Sequence, residues 1–235
     1  MLVNEVIDVN KVRSSKRYKE ETIGGTAINA PTMAQLRQKH KLLGAGIEAA
    51  TYQHRTKGDT VIKVIDNIRD NDPYIDFIKV VLKHQDNPFF PRIYSAKKYH
   101  RDEDDNIAII LQLEKLYPLN HPKIVHGAPH ILKQLGIKIT PDDLEDEGIG
   151  NWLPARYVDK IGTMFSTPSN REELVYNSKN PKFIEAMNIL EPYFRKWGAD
   201  LHGNNLLFRI TSIGPQPVII DPLLPDLHKF FKKEV

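Results

Sequence analysis

Asp200-Leu201-His202-Gly203-Asn204-Asn205 and, one hairpin later, Asp221 gather residue types that bind hard cations and move protons. The polar hexamer follows a helical stretch and precedes the apolar run 206–210. A second apolar run, 218–220, ends on Asp221. If the two runs pair as a hairpin, its open end brings Asn205 beside Asp221, with Asp200 on the same loop. Two carboxylates and an amide oxygen then form a hard-oxygen site. Magnesium suits such a site, because it keeps several waters and phosphate oxygens as its remaining ligands. The plainer alternative makes Asp200 and Asn204 turn caps and Asp221 a solvent-facing strand end.

A second group of residues lies earlier in the chain. Leu43-Gly44-Ala45-Gly46-Ile47-Glu48-Ala49 sets two glycines between strands. Glycine there lets backbone N–H groups approach a phosphate closely, although a plain hairpin turn has the same composition. Lys63 lies mid-strand in Val61-Ile62-Lys63-Val64. Such a lysine either faces solvent from an edge strand or reaches into a cleft. Other candidates carry less. His126 and His130 have the i,i+4 spacing of zinc ligands on a helix, but Pro129 interrupts that helix. Gly24-Gly25-Thr26 lacks the lysine of a P-loop. The acidic run 142–147 reads as a solvated loop, and would favour a cationic substrate if it lined a pocket.

Stepwise along the chain, the elements that must hold these residues are legible. Residues 1–40 are mixed, with 22–32 a loop and a helix opening at Pro31-Thr32. Strands follow from 41, at 49–54 and at 60–65, with Gly58 in the turn between the last two. Together they read as a β-meander. Asp72-Pro73 opens a helix with Pro at its first position and Ile75, Ile78, Val81 and Leu82 at helical spacing. A proline-bounded connector, 87–99, runs into a strand, and 107–116 is a buried strand with a polar end. Short helices and loops fill 117–180. Phe183, Ala186, Met187, Leu190, Phe194 and Trp197 share one face of a helix from Pro181 to Trp197, ended by Gly198. Residues 206–210 and 218–221 read as strands, with Gly214, Pro215 and Pro217 in the loop between them.

The fold class is therefore α+β. The 235 residues are 40% hydrophobic and 27% charged, which supports a real core. A net charge of +3 spread among acidic residues gives no reason to expect a nucleic-acid partner. The absence of cysteine excludes disulfides, thiolate zinc sites and cysteine nucleophiles. No apolar run approaches the roughly 20 residues of a membrane span, and the N-terminus has no apolar signal core. These features predict a cytoplasmic protein.

Taken in order, the glycine pair, the strand lysine, the apolar strand with a polar end, D-x-H-x-x-N and the strand-terminal aspartate resemble the protein-kinase-like superfamily. The resemblance covers about 40–225. It implies a minimal two-lobed fold: an N-terminal extension (1–40), a β-rich N-lobe with hinge (41–116), and a truncated helical C-lobe carrying the catalytic loop and a metal-binding hairpin (117–235). Gly44 and Gly46 match the loop over the nucleotide phosphates, and Lys63 the lysine that holds them. Glu114 and Leu116 match the hinge whose backbone receives adenine. Asp200 matches the catalytic aspartate, and Asn205 and Asp221 the Mg²⁺ ligands. ATP would lie in the cleft between the lobes. The D-L-H-G-N-N form is similar to aminoglycoside and choline kinases, and the short chain resembles small bacteriophage Ser/Thr protein kinases most. The implied function is a protein Ser/Thr kinase acting on host or partner proteins, in the host cytoplasm if phage-encoded. A small-molecule phosphotransferase and a non-catalytic binding module are the alternatives, and a homodimer could complete the small helical lobe.

Some positions depart from the family pattern. Ala49 stands where the third glycine would be, and Ala199 where an arginine usually precedes the catalytic aspartate. The second change implies a site without activation-segment control. The helix from Pro73 has no glutamate, and Asp76 is the acidic residue that could pair with Lys63.

Overall fold

The computed structural model describes residues 18–22, 40–45, 49–54, 58–69, 71–101, 106–118, 121–125, 163–201 and 205–224, together with 127, 131, 133 and 135–137. The predicted helix from Pro31 through His40 lies outside them except for His40, which is in a strand; the acidic run 142–147, Gly46, His126 and His130 also lie outside them. The protein is α+β, and its chain divides into two compact units.

The first unit comprises residues 1–82 and 92–115. Its strands are β1 (Tyr18–Thr22), β2 (His40–Ala45), β3 (Ala49–His54), β4 (Thr60–Arg69), β5 (Ile93–Arg101) and β6 (Asn106–Glu114). They form one sheet in the order β1-β5-β6-β4-β3-β2, and each hydrogen-bonded pair is antiparallel. The predicted meander is β2-β3-β4, three successive neighbours. Strand β4 is interior, between β3 and β6. Val61, Ile62, Val64 and Ile65 are all buried, so both faces of β4 are covered and its apolar residues are continuous instead of alternating. It runs to Arg69, beyond the expected end at 65, because a register shift between Ile65 and Ile68 absorbs one residue and pairing with β6 resumes. The short strand β1 falls in the segment read as a mixed extension. It pairs with β5, so that segment supplies an edge of the sheet.

Helix α1 (Pro73–Lys83) starts where Asp72-Pro73 predicts. The buried Asp72 accepts the Tyr74 N–H through Oδ1 at 3.0 Å and satisfies one of the helix's first donors. Ile75, Phe77, Ile78, Val80 and Val81 are its buried residues. Leu82, expected on that face, is half-buried.

The second unit comprises 83–91 and 116–235. It holds α2 (Pro122–Val125), α3 (Pro168–Asn177), α4 (Pro181–Trp197) and the hairpin of β7 (Leu206–Thr211) and β8 (Gly214–Ile219). Asn180 caps α4, its side chain accepting from the Lys182 and Phe183 N–H groups at 3.0 and 3.2 Å. Phe183, Ala186, Met187, Leu190 and Phe194 are buried as the periodicity requires, and Trp197, expected on the same face, is half-buried. Phe183 meets Phe89 at 5.2 Å and Phe165 at 6.2 Å between ring centroids. The buried Asn87 ties this core to the helix start, donating to the Lys182 carbonyl at 2.9 Å. Buried Arg171 joins α3 to α4 through Glu191 at 3.3 Å and the Phe194 ring at 4.8 Å.

The hairpin corrects one expectation. Gly214, Pro215 and Pro217 belong to β8, and the turn is only Ser212-Ile213. Proline is normally excluded from a ladder because it has no N–H to donate. Here the register removes that penalty. Phe208, opposite Pro217, exchanges both of its backbone bonds with Tyr117, at 2.8 and 2.9 Å, on the far side of β7. Phe208–Pro217 is therefore a pair whose backbone groups face away from each other, and by the period of two so is Ile210–Pro215. The same alternation turns the Ile219 N–H outward, where the Phe89 carbonyl accepts it at 2.8 Å. Arg209 clamps the hairpin to that segment, donating to the Pro88 and Phe90 carbonyls at 2.9 and 3.1 Å. Among the described residues, no helix is long and apolar enough to cross a membrane.

Candidate functional site

The hairpin register fixes where Asn205 and Asp221 fall. Leu206 is opposite Ile219, and one step further out the Ile220 N–H donates to the Asn205 carbonyl at 3.0 Å. On the other side of Asp221, the Pro222 carbonyl accepts the Asp200 N–H at 2.8 Å. Asp221 thus lies between two backbone ties, one to Asn205 and one to Asp200. The Asn205 side chain closes the group. Its Nδ2 donates to the Asp200 carbonyl at 2.6 Å and lies 3.4 Å from Asp200 Oδ2. All three residues are half-buried. The hairpin expected from the apolar runs is present, and its open end ties Ile220 to Asn205 and Pro222 to Asp200.

The loop before Asp200 is held equally firmly. Ala199 bridges to Leu223, and the Leu224 N–H donates to the Gly198 carbonyl at 3.2 Å. Gly198 caps α4 with φ 87° and ψ 156°, a region that side-chain-bearing residues almost never enter. An added Cβ would also stand 2.6 Å from Leu224 Cδ1. The leucine end can rotate away, but the backbone angle cannot be relieved without moving the Ala199–Asp200 strand. Gly198→Ala is therefore expected to destabilise the protein by about 1–3 kcal/mol, read as a fall in thermal midpoint. A midpoint equal to wild type would show that the loop tolerates another path.

Asp200, Asn205 and Asp221 carry the oxygen-bearing side chains that a hard cation takes as ligands. The Asn205 amide presents its nitrogen to the Asp200 carbonyl and carboxylate. Among the described residues no group of three or more His, Cys, Asp or Glu could hold a metal. A cation held by Asn205 and Asp221 would take its remaining ligands from water and substrate oxygens, as Mg²⁺ does.

Leu116 belongs to the same unit. The next residue, Tyr117, is fastened to β7 by the two bonds with Phe208. None of the described residues hydrogen-bonds the Leu116 N–H, which is thus the backbone donor of the predicted hinge that a ligand could engage. Glu114 and Lys115, in the first unit, use theirs within the sheet. Their N–H groups donate to Arg92 and Asp59 at 3.0 and 2.8 Å. The buried Glu114 carboxylate also accepts from the Arg92 N–H at 2.8 Å, so this side chain fixes the strand end.

Lys63 lies on interior β4, opposite Thr51 of β3 and Leu111 of β6. The edge-strand reading of this lysine is therefore excluded. Its Nζ is 3.1 Å from the Tyr74 hydroxyl and 4.3 Å from the centre of that ring. Tyr74 is a residue that reading the sequence overlooked. The family pattern points to a carboxylate on α1, whereas an aromatic in the first turn can also hold an ammonium group. Gly44 follows a register shift in β2, and a Cβ there would meet nothing within 4 Å.

No model of a known protein family matches the chain, and no curated protein matches it.

Proposed function

We propose that this chain is an ATP-dependent phosphotransferase with a minimal two-lobed kinase-like fold, and that its acceptor is a serine or threonine hydroxyl of a protein. The observation that carries the reading is the pair of backbone ties that set Asp221 between Asn205 and Asp200. In this reading Asp200 accepts the proton of the acceptor hydroxyl as its oxygen attacks the γ-phosphorus. The bond from that phosphorus to the β-phosphate oxygen breaks, and ADP leaves. Asn205 and Asp221 would hold Mg²⁺, which would neutralise phosphate charge. Lys63 contributes a cation to the phosphates, Gly44 and Gly46 a close backbone approach, and the Glu114–Leu116 segment, through the Leu116 N–H, a donor to the adenine edge. Such chemistry depends on positioning and charge more than on covalent participation, and the tied loop is suited to positioning.

Purified protein incubated with γ-labelled ATP and Mg²⁺, alone and with cell lysate, is expected to label proteins on serine or threonine. Label confined to small molecules would move the acceptor to that class. A protein that binds no nucleotide and transfers no label would refute the phosphotransferase reading.

A further inference from the structure

Resting on the phosphotransferase reading of Lys63, we infer that Tyr74 is the positioning residue for this lysine. Tyr74 holds the ammonium group by hydroxyl and ring face together, ready for a polyphosphate.

The two contacts come from one side chain. The hydroxyl oxygen accepts from Nζ at 3.1 Å, and the ring centre lies 4.3 Å from the same nitrogen. An ammonium group has three donors, and the bond to the Tyr74 hydroxyl uses one of them. The ring adds a second restraint, since the negative face of an aromatic attracts a cation within about 6 Å. A lysine side chain has four rotatable bonds and a large rotamer entropy. Restraining its end before the ligand arrives lowers the entropic cost of binding.

Tyr74 is itself well placed to impose that restraint. It occupies the first turn of α1, and its own N–H is anchored by the buried Asp72 carboxylate at 3.0 Å. Its ring is backed by Phe77 at 6.1 Å. At the other end, Lys63 is fixed by strands on both sides, opposite Thr51 and Leu111. The tyrosine thus connects a rigid helix start to an interior strand, and the flexible part between them is the lysine side chain alone.

Two variants separate the contributions. Tyr74→Phe keeps the ring and removes the acceptor, and Tyr74→Leu removes both. The first measurement needs no nucleotide: the rate at which an amine-acylating reagent modifies Lys63, read by peptide mass spectrometry. Tyr74→Leu is expected to raise that rate several-fold, and Tyr74→Phe to raise it less. The second is direct binding of ATP and of adenosine by calorimetry. Tyr74→Leu is expected to weaken ATP about tenfold, to leave adenosine unchanged, and to add nothing in a Lys63→Met background. An unchanged acylation rate, or an equal loss of ATP affinity with and without the lysine, overturns the inference even if wild type transfers phosphate. Conversely, a wild-type protein that binds no ATP sinks the phosphotransferase reading, and the acylation rates then decide the lysine–tyrosine pairing by themselves.

Discussion

Replacing Asp200 with alanine is expected to slow phosphoryl transfer by about 10²–10⁴-fold, the range that a positioned general base contributes. That corresponds to about 3–5 kcal/mol of barrier. Affinity for ATP should stay within about threefold of wild type, because a group that acts on the acceptor hydroxyl contributes to the transition state more than to nucleotide binding. The structure explains why the variant should otherwise be intact. The shorter bond from Asn205 Nδ2 goes to the Asp200 backbone carbonyl at 2.6 Å, and alanine retains that carbonyl. The Asp200 N–H that donates to Pro222 is retained as well. The 3.4 Å approach of Asn205 Nδ2 to the carboxylate is lost, and it is long for an N–H···O bond. Single-turnover transfer, ATP binding and thermal midpoint, measured on one preparation, test this. Equal transfer rates in variant and wild type would remove Asp200 from the chemistry. A parallel loss of rate, ATP affinity and midpoint would instead assign it to the fold.

How far the fold is legible in the sequence follows from how local each signal is. Helix α4 was legible because its cap, its first proline, its apolar face and its terminal glycine all lie within one segment, and the face that recurs every three or four residues is the face that is buried. The approach of Asn205 to Asp221 was legible for a related reason: two apolar runs joined by a short connection have few ways to pair. The extent of β8 was not. Pro215 and Pro217 argue against a strand until the register shows that their backbone nitrogens face out of the ladder. That register depends on Tyr117, far away in sequence. Strand β1 was hidden similarly, because Tyr-Lys-Glu-Glu-Thr has little apolar pattern and owes its conformation to the open edge of β5. Tyr74 shows a third kind of limit. Its position on α1 was clear, but its contact with Lys63 depends on where β4 runs relative to that helix, which no spacing within either segment encodes.

Converting Asp221 to asparagine should change the sign of an effect, not only its size. The variant is nearly isosteric, and the ties on both sides of it involve the backbone of Ile220 and Pro222, so the hairpin end should persist. With Mg²⁺ present, ATP binding is expected to weaken on the order of 10–100-fold, as when a metal-supporting group is removed. Turnover at limiting metal should fall at least as far. With a chelator present the expectation reverses. A carboxylate facing a polyphosphate without an intervening cation repels it, so Asp221→Asn should bind metal-free ATP as well as wild type or better. A solvent-facing strand end would produce neither change, and a residue needed only for folding would weaken binding in both conditions. Measuring ATP affinity for the two proteins with Mg²⁺ and with chelator therefore separates the three roles. Loss of affinity in both conditions, or in neither, would exclude Asp221 as a metal ligand and leave the carboxylate–amide group without its cation.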